Sequence, residues 1–189
     1  MIYNSNYKNL NVRPHAITRD YIWVKENSLT RYFCNKVIKK FDEEPGKYDG
    51  KIGDDRRVNK NIKSTKDFSI SGHKKWEKED GIFFTALQEG LDEYRTYLKS
   101  IHHNNIPNLQ KQTRDTGYKV QRYEPGGFYD WHNDWTIDKE NGSRVYVFMW
   151  YLNTIKKKDG GYTEFTDGTR LQPKCGSLVM FPATWTYLH

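Results

Sequence analysis

The chain has 189 residues and a mass of 22.6 kDa, and 35% of its residues are hydrophobic, with an aromatic content as high as 15%. This length suits one domain, and the aromatic rings provide enough buried area for a core, so general disorder is excluded. The net charge of +7 permits a polyanionic partner, but the lysines are spread over several segments, which favours a role in solubility.

Residues 1–116 are predicted to form a helical support region. A polar, irregular lead-in over residues 1–20 precedes a short strand at Tyr21–Val24. Apolar residues at a spacing of four then predict an amphipathic helix that runs from an N-cap at Ser28 to about Phe41. The Gly- and Lys-rich residues 46–70 show weak strand signals and are predicted to be an irregular loop, either a substrate lid or a mobile segment. A second helix is predicted over Trp76–Ile101, and the following His102–Asn105 are interpreted as its frayed end.

Residues 117–189 have a sequence pattern that is typical of β structure. Short apolar or alternating segments are separated by Gly- and Pro-containing turns at about every 8–12 residues, which is typical of sandwiches and barrels. The predicted extended segments are Tyr118–Tyr123, Phe128–Trp135, a buried Val145–Leu152, Tyr162–Phe165 and Ser177–Phe181. We therefore expect a single domain, 1–189, with an α+β fold in which helices precede a β core.

The sequence contains one H-x-D triplet, His132-Asn133-Asp134. On a strand, residues two apart project to one face, so this imidazole and carboxylate can both reach a single ion. A third ligand would come from another strand. The remaining histidines are His15, His73, His102, His103 and His189. Only the last follows the predicted strands, and two histidines with one carboxylate form the facial triad of non-haem Fe(II) oxygenases. The alternative is a hydrogen-bonded surface pair with an unrelated terminal histidine.

Five blocks of the second half occur in the order that is found in one enzyme family. They are YEPGGFYDWHND, RVYVFMWYLN, GGYTEF, LQPKCGSLVMFP and the final His189. Together they resemble the 2-oxoglutarate/Fe(II) dioxygenases of the prolyl 4-hydroxylase type. The resemblance covers about residues 117–189 and implies a double-stranded β-helix (jelly roll) that carries a metal at its open end, with helices in support.

The resemblance also implies roles for individual residues. His132, Asp134 and His189 would be the catalytic iron ligands. Tyr123 would contact the bound cosubstrate, and Tyr151 would hydrogen-bond the distal carboxylate of 2-oxoglutarate. For both tyrosines, a core aromatic ring with a satisfied hydroxyl is an equally good interpretation. The implied cofactors are Fe(II), the cosubstrates 2-oxoglutarate and O₂, and ascorbate as a candidate reductant.

The sequence departs from the family at two places. A Gly-Tyr-Thr turn at Gly161 replaces a Gly-Glu-Thr pattern, which is peripheral. The family also anchors the cosubstrate carboxylate with a Lys or Arg beyond the distal histidine, whereas this sequence stops at His189. We expect that the jelly roll lacks its last strands by truncation, and the chain as given would be inactive if no other cation replaces the anchor. Arg144 is the nearest substitute, but strand alternation directs it away from the face of Tyr151.

The leading functional hypothesis is an Fe(II)/2-oxoglutarate-dependent hydroxylase that acts on an unactivated C–H bond of a peptidyl residue, such as proline. We expect its peptide or protein substrate to lie beside Tyr129, Trp131 and Trp135. One alternative is a nucleic-acid or nucleotide oxidase of the same superfamily, and another is a non-catalytic jelly-roll binding module.

With two cysteines and no visible secretory or membrane segment, we expect a cytoplasmic location and no membrane partner.

Overall fold

The computed structural model describes residues 21–53, 56–101, 113–138 and 142–189. Within these ranges the α-helices are α1 (Arg31–Asp42) and α2 (Glu77–Ile101). The strands are β1 (Trp23–Lys25), β2 (Tyr48–Asp49), β3 (Lys51–Ile52), β4 (Arg57–Val58), β5 (Lys66–Ser69), β6 (Lys119–Arg122), β7 (Ile137–Asp138), β8 (Gly142–Ser143), β9 (Tyr146–Trp150), β10 (Thr163–Glu164), β11 (Arg170–Leu171) and β12 (Leu178–Pro182). Short 3₁₀ helices occupy Lys74–Trp76, Lys157–Asp159 and Trp185–Tyr187. The predicted lead-in at residues 1–20 and the helix end at His102–Asn105 lie outside the described residues.

The first helix confirms the amphipathic pattern but begins later than predicted. Its N-cap is Thr30, whose hydroxyl accepts a hydrogen bond from the backbone N–H of Phe33 at 3.2 Å. The predicted cap at Ser28 is therefore wrong. The hydroxyl of Ser28 instead accepts a hydrogen bond from the indole N–H of Trp150 at 3.0 Å, which links the start of the helical region to strand β9.

The second helix, α2, follows the prediction closely and is preceded by the 3₁₀ turn Lys74–Trp76. Gly90 lies in its interior, where glycine lowers helix propensity. A Cβ atom on Gly90 would lie 2.3 Å from the Cδ2 atom of Leu178 on β12. This glycine therefore allows the helix to approach the sheet closely.

Two three-stranded antiparallel sheets form the β core. One has the strand order β1-β12-β9 and the other the order β2-β5-β6. Strand pairs β3-β4, β7-β8 and β10-β11 complete the described β structure. The prediction of an irregular loop over residues 46–70 is wrong, because this segment contains strands β2 to β5. Both larger sheets contain strands from before and after residue 117. The division into a support region, 1–116, and a β core, 117–189, stays a prediction.

Strand β9 separates two hydrophobic clusters, and its side chains alternate as predicted. Tyr146, Phe148 and Trp150 pack against the larger cluster, which contains the buried faces of α1 and α2. Val147 and Met149 pack against a smaller cluster on the opposite face. The members of this smaller cluster are Phe165, Val179, Phe181 and Tyr187. The prediction that the strand is buried is wrong, since each of its residues is only partly buried.

No helix in the described parts of the chain is both long enough and apolar enough to cross a membrane.

Candidate metal centre

The segment that carries the H-x-D triplet is held in place by a segment from the first half of the chain. The backbone N–H of Ser64 donates to the carbonyl of Phe128, and that of Asp130 donates to the carbonyl of Ile62, both at 2.7 Å. Lys63 and Tyr129 form an antiparallel β-bridge between these bonds. Only this single bridge, rather than a continuous strand, is present in the predicted extended segment Phe128–Trp135.

Backbone pairing also brings the two candidate histidine ligands together. The N–H of His132 donates to the carbonyl of His189 at 3.1 Å, and the N–H of His189 donates back at 3.0 Å. Two residues that exchange both bonds lie directly opposite each other in an antiparallel pair, and their side chains project to the same face. The ring centroids are accordingly only 4.3 Å apart.

Asp134 completes a cluster of three candidate ligands with His132 and His189. One ligand atom from each residue lies within 4.8 Å of the other two. The Nε2 atom of His189 is 3.8 Å from a carboxylate oxygen of Asp134. Two atoms that each lie about 2.1 Å from one ion are at most about 4.2 Å apart, so small side-chain adjustments would let the cluster close on a metal.

Main-chain carbonyls fix the orientation of both imidazoles. The Nδ1 atom of His132 lies 2.8 Å from the carbonyl oxygen of Asp130, and that of His189 lies 2.9 Å from the carbonyl oxygen of Tyr187. Because a carbonyl only accepts, each Nδ1 carries a proton, and Nε2 is the nitrogen that each imidazole can offer to a metal. Burial, followed by the neighbouring His189, lowers the pKa of His132 to about 4, so its imidazole is neutral near pH 7.

Arg144 contacts the third candidate ligand. Its guanidinium donates a hydrogen bond to the backbone carbonyl of Asp134 at 3.1 Å and lies 3.6 Å from the carboxylate. Strand alternation did not anticipate this contact, because Arg144 precedes β9 and does not follow its alternation. An oriented carboxylate beside two imidazoles is the donor set that Fe(II) accepts.

Of the two tyrosines predicted to bind the cosubstrate, Tyr123 lies within electrostatic reach of Asp134, and Tyr151 packs against the smaller hydrophobic cluster. The hydroxyl of Tyr151 donates to the hydroxyl of Thr163 at 2.7 Å, and burial raises the pKa of Tyr151 to about 12. Tyr123 as a whole residue is 47% exposed, but its phenol group is desolvated by burial. This desolvation, together with nearby charges that include Asp134, raises the pKa of Tyr123 well above its usual value.

The aromatic residues around the triplet divide into two groups. Trp131 and Trp135 are 52% and 48% exposed, so they form a rim and do not pack in the core. Tyr129, expected to lie beside the substrate, stacks on the imidazole of His132 with ring centroids 3.5 Å apart. Sequence reasoning missed this stack and the role of residues 62–64, because both depend on a bridge between distant segments.

Comparison with known proteins agrees with the geometry of this centre. Residues 118–189 match the 2OG-Fe(II) oxygenase superfamily. A comparison with curated proteins found no match.

Solved structures of prolyl hydroxylases resemble the chain over most of its length. A prolyl 4-hydroxylase from Pseudomonas putida has a TM-score of 0.59 and 20% identity, covering 86% of this chain and 81% of that one. A Trichoplax adhaerens prolyl hydroxylase in complex with a hypoxia inducible factor peptide fragment has a TM-score of 0.66 and 16% identity, covering 90% and 76%. A viral collagen prolyl hydroxylase from Paramecium Bursaria Chlorella virus-1, in a 2OG complex, has a TM-score of 0.52 and 18% identity, covering 86% and 77%. At these identities the likeness concerns the fold, and it confirms the predicted α+β jelly roll.

Proposed function

We propose that this chain, a 2OG-Fe(II) oxygenase by the match over residues 118–189, hydroxylates an unactivated C–H bond of a peptidyl residue, with proline as the first candidate. The observation that carries the proposal is the cluster of His132, Asp134 and His189, whose ligand atoms lie within 4.8 Å of one another. The two alternatives, a nucleic-acid oxidase and a non-catalytic binding module, are not favoured by the comparisons.

In this proposal, His132, Asp134 and His189 hold Fe(II). When bound, the iron supplies the coupled chemistry in which O₂ oxidises 2-oxoglutarate to succinate and CO₂ and hydroxylates the substrate. The protein contributes orientation: the carbonyls of Asp130 and Tyr187 engage each Nδ1 and leave each Nε2 for the metal, and Arg144 orients Asp134. The lowered pKa of His132 leaves its imidazole neutral near pH 7, so protons do not compete with the metal at this ligand.

Tyr151 and Tyr123 are proposed to bind 2-oxoglutarate beside the iron. A carboxylate accepts hydrogen bonds, and the hydroxyl of Tyr151, now donated to Thr163, is able to turn toward it. The raised pKa values of both tyrosines keep them protonated and able to donate. Ascorbate is the proposed reductant for iron that becomes oxidised without substrate turnover.

The substrate proposal depends on the exposed rim of Trp131 and Trp135. Flat apolar rings beside the metal suit an extended peptide with a proline ring, because both surfaces are apolar and rigid. The Trichoplax adhaerens relative was solved with a peptide fragment, which supports a peptide as the substrate class. A cytoplasmic location is part of the same proposal.

The first test measures conversion of 2-oxoglutarate to succinate by the Fe(II)-loaded chain, with and without proline-containing peptides. Addition of the peptide should increase the rate of succinate formation, and the peptide itself should gain the mass of one oxygen atom. His132→Ala and Asp134→Ala should each lose iron binding and turnover, while His73→Ala, at an exposed histidine outside the cluster, should retain both. Unchanged iron binding and turnover in His132→Ala or Asp134→Ala would refute the assignment. Oxidation of a single-stranded oligonucleotide in place of the peptides would favour the nucleic-acid alternative.

A further inference from the structure

A buried lysine from outside the region that matches the superfamily lies beside the candidate metal centre. The side chain of Lys63 is only 2% exposed, although lysine is almost never fully buried without a partner. Its backbone forms the antiparallel bridge to Tyr129, so the two side chains project to the same face of the pair. The chain therefore uses a segment between β4 and β5 to place a positive charge next to the segment that carries His132.

The lysine, the tyrosine and the histidine form a continuous stack. The Nζ atom of Lys63 lies 4.5 Å from the ring centroid of Tyr129. The ring of Tyr129 stacks on His132 with centroids 3.5 Å apart and planes inclined by 19°. Because the imidazole covers one face of the phenol ring at van der Waals distance, the other face is left for the ammonium group.

The ammonium group of Lys63 is itself held by a buried carboxylate. Asp67 is fully buried, and one of its oxygens lies 3.4 Å from the Nζ atom of Lys63. Asp67 also accepts hydrogen bonds from Thr65 at 2.7 Å and from Gln121 at 3.1 Å. A carboxylate with this many donors is fixed in place, and it keeps Lys63 over the ring of Tyr129.

We propose that Lys63 is a positioning residue for the metal centre, which acts through Tyr129 to hold the imidazole of His132 in its ligating orientation. The proposal rests on the proposed role of His132 as an iron ligand. A desolvated cation–π contact restrains the tyrosine ring, and the stacked ring restrains the imidazole plane. The hydrogen bond from Nδ1 of His132 to the carbonyl of Asp130 determines which ring nitrogen is left for the metal. The stack on Tyr129 restrains rotation of the imidazole about its χ angles.

The test compares Lys63→Met, which keeps the apolar stem and removes the charge, with Lys60→Met, which removes an exposed lysine from the same segment. In metal-free protein, NMR should show the His132 ring protons losing their ring-current shift in Lys63→Met and keeping it in Lys60→Met. The dissociation constant for Fe(II), measured anaerobically by titration, should rise about tenfold in Lys63→Met alone. Lys63→Arg, which keeps the cation, should restore most of the affinity.

A double variant separates positioning from a general loss of stability. Tyr129→Leu should weaken iron binding as Lys63→Met does, and combining the two changes should add little, because both interrupt the same stack. Additive losses, or an unchanged ring-current shift in a folded Lys63→Met, would overturn the proposal. If Lys63→Met does not fold, unchanged iron affinity in Tyr129→Leu overturns it instead. Failure of the unmodified chain to bind Fe(II) would refute the proposed function, whereas the metal-free NMR result would still report on the stack.

Discussion

At the scale of single residues, the backbone determines how the candidate ligands are presented. His132 and His189 each direct Nδ1 to the carbonyl two residues earlier, and each exchanges two backbone hydrogen bonds with the other. The two imidazoles are therefore oriented by main-chain groups that side-chain substitutions nearby do not remove. Side chains have a larger part in orienting the third candidate, Asp134, which depends on Arg144.

The proposed cosubstrate contact of Tyr151 leads to a residue-scale prediction. Tyr151→Phe removes one hydroxyl and keeps the ring that packs on the smaller cluster, so the fold should persist. Loss of a hydrogen bond to a charged carboxylate costs about 1.5–3 kcal/mol, and the KM for 2-oxoglutarate should therefore rise roughly tenfold or more. Steady-state kinetics with varied 2-oxoglutarate would measure this change.

The control for this prediction is Thr163→Ala, which removes the partner that Tyr151 has in the structure. If the tyrosine binds the cosubstrate, this variant should change the KM much less than Tyr151→Phe does. Equal effects of the two variants would mean that the hydroxyl serves only the contact with Thr163.

At the scale of elements, α2 carries two glycines in different surroundings. Gly90 faces β12, where an added Cβ would lie 2.3 Å from the buried side chain of Leu178. Gly81 has no heavy atom within 4 Å of the corresponding position. Both glycines lower helix propensity, but only Gly90 permits the close approach of helix and sheet.

The same substitution at these two glycines should therefore have opposite effects. Gly81→Ala should raise the free energy of unfolding by up to about 1 kcal/mol, because alanine favours the helix. Gly90→Ala should lower it by roughly 1–3 kcal/mol, because overpacking against Leu178 outweighs the propensity gain. Urea denaturation followed by circular dichroism would compare them. Equal stabilisation by both changes would contradict the close packing described for β12.

At the scale of the whole molecule, buried carboxylates tie distant segments together. Glu79 at the start of α2 accepts hydrogen bonds or ion pairs from Lys40 at 2.5 Å and Lys36 at 3.0 Å, both on α1. Glu44, just beyond α1, accepts hydrogen bonds from Lys75 at 2.7 Å and from the indole of Trp76 at 3.0 Å. Burial opposes the ionisation of both carboxylates, but these donors outweigh it and lower each pKa below 4.5.

These lowered values predict that the fold loses stability in acid. A carboxylate whose pKa is lower in the folded state contributes stability above its unfolded value near 4.5, and this contribution disappears as the pH falls through the folded pKa. The urea midpoint should therefore decrease from pH 7 to below pH 4. Glu79→Gln should be less stable than the unmodified chain at pH 7, and the difference should narrow in acid. Parallel pH profiles would contradict this account.

Much of this architecture follows from the sequence by itself. The spacing of apolar residues predicted α1 and α2, and the alternation along β9 predicted which of its side chains share a face, because helix and strand periods are local properties of the backbone. The order of the five sequence blocks likewise predicted the match of residues 118–189 to the superfamily, and it predicted the jelly-roll fold. Of the predicted site residues, the structure brings His132, Asp134 and His189 together, and the roles of all five stay proposals.

Only the tertiary structure decided which distant segments meet. The sequence predicted an irregular loop at residues 46–70, but this segment contains strands too short and polar to be recognised alone. Among them, β5 pairs with β2 and with the distant β6. The sequence also predicted a cap at Ser28, but the indole of Trp150 engages that hydroxyl. The stack of Lys63, Tyr129 and His132 was also beyond prediction. Each of these features depends on contacts between residues far apart in the chain, and local periodicity carries no information about such contacts.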